Sequence, residues 1–379
     1  MFFATYLINP FFLITVPLII LLIWFWKRST VVKVILFNVI ALIILAGIFD
    51  VVFTTKFIMP FNNFRANSTY YHHGTKPNRT ELTKWFDEYT VHTNSLGFFD
   101  GSQRNVPLKK DGKRFVFIGD SFTEGVGEPW ENTFPGIVSK ELEKENIELL
   151  NAGCISYSPK IYYLKMKYFL EKGLEMDDLY VFIDISDVQD EIEYAYFKPT
   201  EAIPYLSDIN LFFYQNSFTY RHFHERMYYW QENPRHKDSP FWGGLFYPVR
   251  HLWSMDMHHY EKWGKEGLEL SKDHMNKLFE TTEKYGVKLH IAVYPWRMHI
   301  LKKDLGNIQV LFWKKFCEER GIDFINFFPN FINVDDVKAK EQLWFVEGDV
   351  HWSKAGLRKM ADTVEAHFKE KGIIKSQSH

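Results

Sequence analysis

The stretch that decides the fold is KRFVFIGDSFTEGVGEPWENTF, residues 113–134. Its apolar run at residues 115–118 has the length and the aromatic and β-branched side chains of a buried strand. Gly119 ends that run, and an aspartate and Ser121 follow in a turn of small residues. A serine at this position has two interpretations: it packs within a turn, or the strand holds its hydroxyl out as a nucleophile.

Strands and helices are predicted to alternate from this stretch to the end of the chain. Such alternation indicates an α/β domain with a mostly parallel sheet that is covered by helices on both faces. The predicted strands are 114–118, 147–153, 179–186, 287–295 and 322–328, and the predicted helices are 133–144, 159–170, 271–285, 308–320 and 353–368.

The amino-terminal region has a different composition. Residues 7–26 carry no charge, and residues 34–53 carry only Asp50. Each run is long enough to cross a hydrocarbon core of roughly 30 Å as a helix. The basic loop between them, with Lys27, Arg28 and Lys33, is expected on the cytoplasmic side. Residues 1–56 are therefore predicted to form a transmembrane helical hairpin that places the rest of the chain on the periplasmic or extracellular side.

The remaining chain divides by composition into four parts. Residues 57–112 look like a connector with little periodicity, and 113–370 form the α/β domain. An aromatic-rich insertion is predicted at about 194–270, as a lid or a partner surface, and residues 371–379 form a tail. A net charge of −2 gives no reason to expect nucleic acid as a partner, and the two cysteines favour unpaired thiols.

A functional site is expected where the parallel strands end. Ligands of open α/β sheets bind beyond the carboxyl ends of the strands, and Ser121, Gly153 and residues 184–187 follow three predicted strands. A serine hydroxyl needs a base to become a good nucleophile. The stretch EGDVHWSKAG, residues 347–356, supplies His351 as that base and Asp349 as the group that orients it.

With these residues in place, the chain resembles the SGNH/GDSL hydrolases. The resemblance rests on Gly-Asp-Ser-Phe-Thr at 119–123, Gly153 and Asp-Val-His-Trp at 349–352, and it covers about residues 113–370 without the insertion. It implies a three-layer α/β/α fold and ester chemistry at Ser121 and His351. It also implies an oxyanion hole made by the amides of Ser121 and Gly153. Two departures stand out. Ser186 stands at the block where the family has an asparagine donor, and its hydroxyl is the candidate third oxyanion donor. The last block is Asp-x-His rather than Asp-x-x-His.

Several other polar residues are candidates either for the site or for the surface. Asp120, Asp187 and Asp190 are candidate contacts for substrate hydroxyls, although Asp120 also suits a turn or a helix cap. Glu124 is expected on the surface, and His72 and His73 are expected to be solvated. The sequence predicts neither a metal site nor a cofactor.

The resemblance and the predicted topology together suggest a function. We expect a membrane-anchored serine acyl-esterase or O-acyltransferase that forms an acyl-Ser121 intermediate and acts on an acylated cell-surface polysaccharide or another ester. SGNH domains of similar layout work beside a multi-span membrane O-acyltransferase, which makes such a protein a candidate partner. The alternative is a catalytically weak SGNH-like subunit that binds glycan or scaffolds a membrane acyl-transfer complex; the altered block at Ser186 favours it.

Overall fold

The computed structural model describes residues 9–26, 29–55, 64–195, 197–199, 213, 216–220, 222–223 and 250–375 of the 379-residue chain. The chain forms two compact units. The amino-terminal unit comprises Met1–Asn63 and Ala202–Trp242, and the large unit comprises Phe64–Glu201 and Gly243–His379. Most of the predicted insertion lies outside the described residues. Its role as a lid or a partner surface therefore stays a prediction.

Two apolar helices form the amino-terminal unit's described core, α1 at Pro10–Phe25 and α2 at Thr30–Phe53. Helix α2 has 24 residues and is long and apolar enough to cross a membrane, whereas α1 has 16 residues and is shorter than a typical span. The two helices are antiparallel neighbours, because Asn9 at the start of α1 donates to Asp50 near the end of α2 over 2.5 Å. The two predicted apolar helices are therefore present, and by length and composition α2 meets the requirement for a membrane span.

The described residues of the large unit form ten strands. They are β1 (Arg65–Ser68), β2 (His72–Thr75), β3 (Arg79–Lys84), β4 (Glu88–Thr93), β5 (Phe99–Asp100), β6 (Lys113–Gly119), β7 (Ile147–Asn151), β8 (Asp178–Ile183), β9 (Lys288–Val293) and β10 (Asp323–Asn326). Strands β1 and β2 form a separate antiparallel hairpin, and the other eight form one sheet.

The eight-stranded sheet is parallel where the sequence predicted it. Its order is β10-β9-β8-β6-β7-β5-β4-β3; the first five strands run parallel and the last three join in antiparallel fashion. All residues of β8 are buried, as expected for a strand covered on both faces. The prediction of a mostly parallel α/β sheet is confirmed.

The expected connector contains regular structure after all. Residues 64–112 carry five of the ten strands, and β3, β4 and β5 extend the sheet at one edge. These strands lack long apolar runs because they are short and partly solvated; β3, for example, buries only Thr83 fully. Edge strands with a wet face give a weak sequence signal, so this part of the interpretation was wrong.

Helices cover the sheet. They are α3 (Ser121–Glu124), α4 (Phe134–Glu143), α5 (Pro159–Glu171), α6 (Asp187–Glu193), α7 (Met257–His259), α8 (Lys265–Lys284), α9 (Arg297–Leu301), α10 (Ile308–Glu318), α11 (Phe328–Ile332), α12 (Val337–Trp344) and α13 (Lys354–Glu370). Short 3-10 turns lie at Trp130–Asn132 and Leu252–Ser254, and a π turn at Tyr260–Gly264 leads into α8. Helix α8 packs on α5 and α6, while α4 packs on α13, so the helices form two separate groups around the sheet.

Several predicted boundaries move by a few residues. Helix α8 begins at Lys265 rather than Ser271, so the last residues assigned to the insertion are helical. The strand predicted at 322–328 ends at Asn326, because Pro329 stands at the start of α11, where its fixed φ favours a helix. Ser353 caps the last helix, α13, because its hydroxyl accepts a hydrogen bond from the Gly356 amide at 3.3 Å.

Candidate active site

The turn after β6 presents Ser121 at the carboxyl edge of the sheet. The side chains from Phe115 to Ile118 are fully buried, which fixes the strand that carries the turn. Gly119 is needed there, since a Cβ at this position would lie 2.1 Å from the Thr123 hydroxyl oxygen. Asp120 caps α3 by accepting from the Phe122 amide at 3.0 Å, which leaves Ser121 as the first residue of that helix.

His351 and Asp349 meet Ser121 at this edge although 230 positions separate the serine from the histidine. The Ser121 Oγ lies 2.8 Å from His351 Nε2, and His351 Nδ1 lies 2.5 Å from Asp349 Oδ1. Since a carboxylate only accepts, the proton of the neutral imidazole belongs on Nδ1, and Nε2 is free to accept the serine proton. This is the relay that nucleophilic catalysis by a serine requires.

The loop from Phe345 to Trp352 explains why an Asp-x-His spacing suffices. A β-bridge joins these two residues, and Gly348 turns the chain at a φ of +73°. Asp349 Oδ1 accepts from the His351 amide at 2.8 Å as well as from its ring. Burial by itself would raise the pKa of Asp349, but the hydrogen bonds from His351 and Trp85 lower it to about 2, which keeps the carboxylate ionised.

The predicted oxyanion donors need correction. The Gly153 amide donates to Asn151 Oδ1 at 3.0 Å, and the Ser186 hydroxyl donates to Asp184 Oδ2 at 2.5 Å. Both donors are therefore already bound to an acceptor within the protein. Each acceptor is a side chain two residues earlier in the chain. The Ser121 amide is at the first position of α3, where helical N–H groups have no partner in the helix.

Asp120 and Asp187 belong to a buried carboxylate cluster with Asp184. Carboxylate oxygens of the three lie within 4.8 Å of one another. Burial, followed by the neighbouring charges, raises the pKa of Asp120 and of Asp187 well above the usual range. Protein donors serve the cluster: Tyr294 donates to Asp120 at 3.2 Å and Tyr162 donates to Asp187 at 2.7 Å.

The structure buries Asp120, Asp187 and Asp190, the three residues that were predicted to contact substrate. Each is at most 2% exposed, and Asp120 Oδ2 accepts from the Ser121 hydroxyl at 3.3 Å. Asp190 is paired with the guanidinium of Arg250, which also donates to Gln189 Oε1 at 2.9 Å. Burial raises the pKa of Asp190 to about 7, and Arg250 opposes that rise.

Glu124 is buried rather than on the surface. Its side chain is 3% exposed, and both of its oxygens bind the guanidinium of Arg65 from β1, one of them at 2.6 Å from Nη1. Glu124 Oε2 also accepts from the Ile155 amide at 2.8 Å. The carboxylate thereby fastens the helix that begins at Ser121 to the segment that follows Gly153.

A second buried cation lies close to this pair. The Lys165 ammonium donates to the Ala152 carbonyl at 2.8 Å and to the Tyr157 hydroxyl at 3.1 Å. Burial lowers the pKa of Lys165 to about 8. Cys154 accepts from Arg65 at 3.2 Å, and both it and Cys317 are buried free thiols, as predicted.

His72 and His73 are packed rather than solvated. The two Nδ1 atoms lie 2.7 Å apart, and His73 Nε2 donates to the Ile155 carbonyl at 2.7 Å. Burial lowers the pKa of His72 to about 4 and that of His73 to about 3. Both rings are therefore neutral near pH 7, and they line the segment between Cys154 and Tyr157.

Sequence reasoning missed several residues that surround the triad. Trp85 donates its indole N–H to Asp349 Oδ2 at 3.1 Å, and Trp296 donates to Asp184 Oδ1 at 2.5 Å. Phe122 packs its ring 5.2 Å from the His351 ring. Neither tryptophan lies in a motif, so their roles depend on the folded chain, whereas Phe122 lies within the quoted stretch.

Comparisons with known proteins give matches among solved structures. No family model matches the chain, and no curated protein matches it. Among solved structures, the chain is similar to a member of the lipolytic protein G-D-S-L family from Veillonella parvula, with 14% identity over 68% of this chain and 99% of that one and a TM-score of 0.38. It is also similar to the psychrotrophic esterase EstA from Pseudoalteromonas sp., with 10% identity over 69% and 98% of the chains and a TM-score of 0.39.

The chain's own residues carry the assignment of the site. A mostly parallel sheet with helices around it presents Ser121 after β6 and brings His351 and Asp349 from the loop before α13 to within hydrogen-bonding distance. The motif blocks and the order of these three residues along the chain are the features on which the resemblance to the SGNH/GDSL hydrolases rests.

Proposed function

We propose that the protein is a membrane-anchored serine acyl-esterase or O-acyltransferase that works through an acyl-Ser121 intermediate. The observation that carries the proposal is the hydrogen-bonded line from Ser121 Oγ through the His351 ring to Asp349, with separations of 2.8 and 2.5 Å. A serine aligned in this way with a base and an orienting carboxylate is set up for acyl transfer.

The first half of the reaction forms the acyl-enzyme. Ser121 Oγ attacks the ester carbonyl while His351 Nε2 takes the hydroxyl proton, and Asp349 stabilises the imidazolium that results. The tetrahedral intermediate then expels the alcohol, which leaves with the proton from His351. The Ser121 amide, at the start of α3, serves as the backbone donor to the developing oxyanion.

The second half determines the product. Water that attacks acyl-Ser121 gives hydrolysis, and a sugar hydroxyl that attacks it gives O-acyl transfer; His351 removes the proton in both cases. We assign the substrate class as acylated cell-surface glycan, delivered on the periplasmic or extracellular side of a two-pass membrane anchor. The apolar helices α1 and α2 support the anchor, and a multi-span membrane O-acyltransferase is the partner that would supply acyl groups.

A second candidate function is a scaffold or glycan-binding subunit with weak catalysis. The engagement of the Gly153 amide by Asn151 and of the Ser186 hydroxyl by Asp184 favours it. Loss of one oxyanion donor typically costs on the order of 100-fold in rate, so a site with only the Ser121 amide would turn over slowly.

The test uses the full-length chain in detergent micelles with a fluorophosphonate probe and p-nitrophenyl acetate. We expect labelling and turnover in the wild type and neither in Ser121→Ala, because the nucleophile is gone. Ser102→Ala, at an exposed serine in a loop, is the matched control and should label and turn over like the wild type.

Three results are informative in different ways. Equal labelling of wild type and Ser121→Ala would refute Ser121 as the nucleophile. A folded wild type that neither labels nor turns over would favour the scaffold. Release of acetate from an O-acetylated polysaccharide, compared with a gain of acyl mass on a deacetylated acceptor, then separates hydrolysis from transfer.

A further inference from the structure

Trp85 contacts the loop from Phe345 to Trp352, although it lies in a part of the chain that has no motif. It lies in the three-residue turn between β3 and β4, where Lys84 pairs with Glu88. Its indole Nε1 donates to Asp349 Oδ2 at 3.1 Å, across a sequence separation of 264 positions. The same ring stands edge-on to the His351 ring, with the centroids 5.2 Å apart and the planes at 81°.

The two oxygens of Asp349 are used differently. Oδ1 accepts from the His351 amide and from His351 Nδ1, and Oδ2 accepts from Trp85. An indole N–H can only donate, so Trp85 cannot accept a proton from Ser121 in place of His351. Rotation of the carboxylate about its Cβ–Cγ bond would break the hydrogen bonds at both oxygens, so these bonds favour the orientation in which Oδ1 faces the histidine.

The contact also bears on the position of the histidine. The Trp85 and His351 rings form a T-shaped contact, and the Phe122 ring centroid lies 5.2 Å from that of the imidazole. His351 is 5% exposed. The ring is therefore held by aromatic neighbours as well as by its two hydrogen bonds, and rotamers that would break the bond to Ser121 are disfavoured.

We propose that Trp85 is a positioning residue that orients Asp349 and, through it, His351 for proton transfer from Ser121. The inference rests on the proposed function and adds to it that the β3–β4 hairpin completes the base side of the active site. Trp85 acts through Asp349 and takes no proton itself.

A different role for Trp85 would be a wall of the substrate site, since its side chain is partly exposed. The two roles separate kinetically. A wall that contributes equally to ground-state and transition-state binding changes KM, whereas a residue that aligns the base changes kcat at constant KM.

The experiment compares Trp85→Phe with the wild type as full-length protein, using p-nitrophenyl acetate turnover and the rate of fluorophosphonate labelling. Phenylalanine keeps an aromatic ring and removes the donor. A hydrogen bond to a charged group supports a fall of about 10-fold in kcat and in the labelling rate, with KM unchanged. Phe86→Ala, at the exposed neighbour in the same turn, is the matched control and should leave both rates as they are.

A double-mutant cycle with Asp349→Ala distinguishes positioning from a purely structural role, because it compares the loss of rate on Trp85→Phe with and without the Asp349 carboxylate. If Trp85 acts through Asp349, Trp85→Phe causes no further loss in the Asp349→Ala background. Equal fold losses in both backgrounds, or a rise in KM at constant kcat, would overturn the inference while the proposed function stands.

The contact itself is tested without activity. The Trp85 indole N–H resonance, identified by its absence from the Trp85→Phe spectrum, should shift when Asp349 is replaced by alanine. An unchanged resonance overturns the inference. A wild type without Ser121-dependent turnover would overturn the catalytic role together with the proposed function, and the indole resonance would then report separately on the hydrogen bond.

Discussion

Replacement of Glu124 by glutamine tests the ion pair that fastens the nucleophile turn. Glutamine keeps an oxygen that can accept from the Ile155 amide, as Glu124 does over 2.8 Å, but it removes the charge that balances Arg65. The side chains of this pair are 3% and 17% exposed, respectively. Removal of one partner leaves a buried guanidinium without its counter-charge.

The magnitude follows from this burial. Breaking a buried pair by removing one partner costs about 3 to 5 kcal/mol. In a domain of this size, each kcal/mol corresponds to roughly 2 °C in Tm, so Glu124→Gln should lower the Tm of the full-length protein by about 6 to 10 °C. Glu131→Gln, at an exposed glutamate seven positions further along the chain, should shift the Tm by less than about 2 °C.

The assay is thermal unfolding followed by tryptophan fluorescence in detergent micelles, with Arg65→Met and the double variant completing a cycle. The double variant should be more stable than the sum of the two single losses predicts, because it leaves no buried charge uncompensated. A Tm of Glu124→Gln within about 2 °C of the wild type, or strict additivity in the cycle, would refute the reasoning.

Two further predictions concern pH. Burial lowers the pKa of Lys165 to about 8 in the folded chain. The charged ammonium therefore destabilises the fold fully below pH 8, and this cost disappears as the pH rises from 8 towards the ordinary pKa of lysine. The Tm of the wild type should gain on that of Lys165→Met between pH 7.5 and 9.5, and parallel Tm curves would contradict this. Burial, and then the charges of Asp120 and Asp184, raise the pKa of Asp187. The buried carboxyl group therefore costs stability as the pH rises above the pKa that Asp187 has in the unfolded chain. Asp187→Asn should raise the Tm more at pH 8 than at pH 5, and an equal gain at both would count against the raised pKa.

The elements and the triad were predictable from sequence because their signals are local. An apolar run ending at Gly119 predicts a buried strand and a turn whatever the rest of the chain does, and the hydrogen bond from the His351 amide to Asp349 lies within three residues. The rule that ligands bind at the carboxyl ends of parallel strands then brings Ser121 and His351 to the same edge.

Only the tertiary structure decided what the polar groups around the triad do. The Gly153 amide and the Ser186 hydroxyl looked like oxyanion donors, but side chains two residues away accept from them. Glu124 looked like a surface residue until β1 placed Arg65 against it. Such contacts depend on which acceptor is nearest in space, and no spacing or periodicity records that distance.

By itself, the sequence determined the alternation of strands and helices, the apolar amino-terminal helices and the three residues of the relay, because periodicity, length and turn chemistry act over a few neighbouring residues. The tertiary structure alone decided that β3–β5 extend the sheet and that Trp85 binds Asp349. The physical reason is that weak, half-solvated strands and single long-range hydrogen bonds gain their stability from the assembled sheet, and not from the residues beside them in the chain.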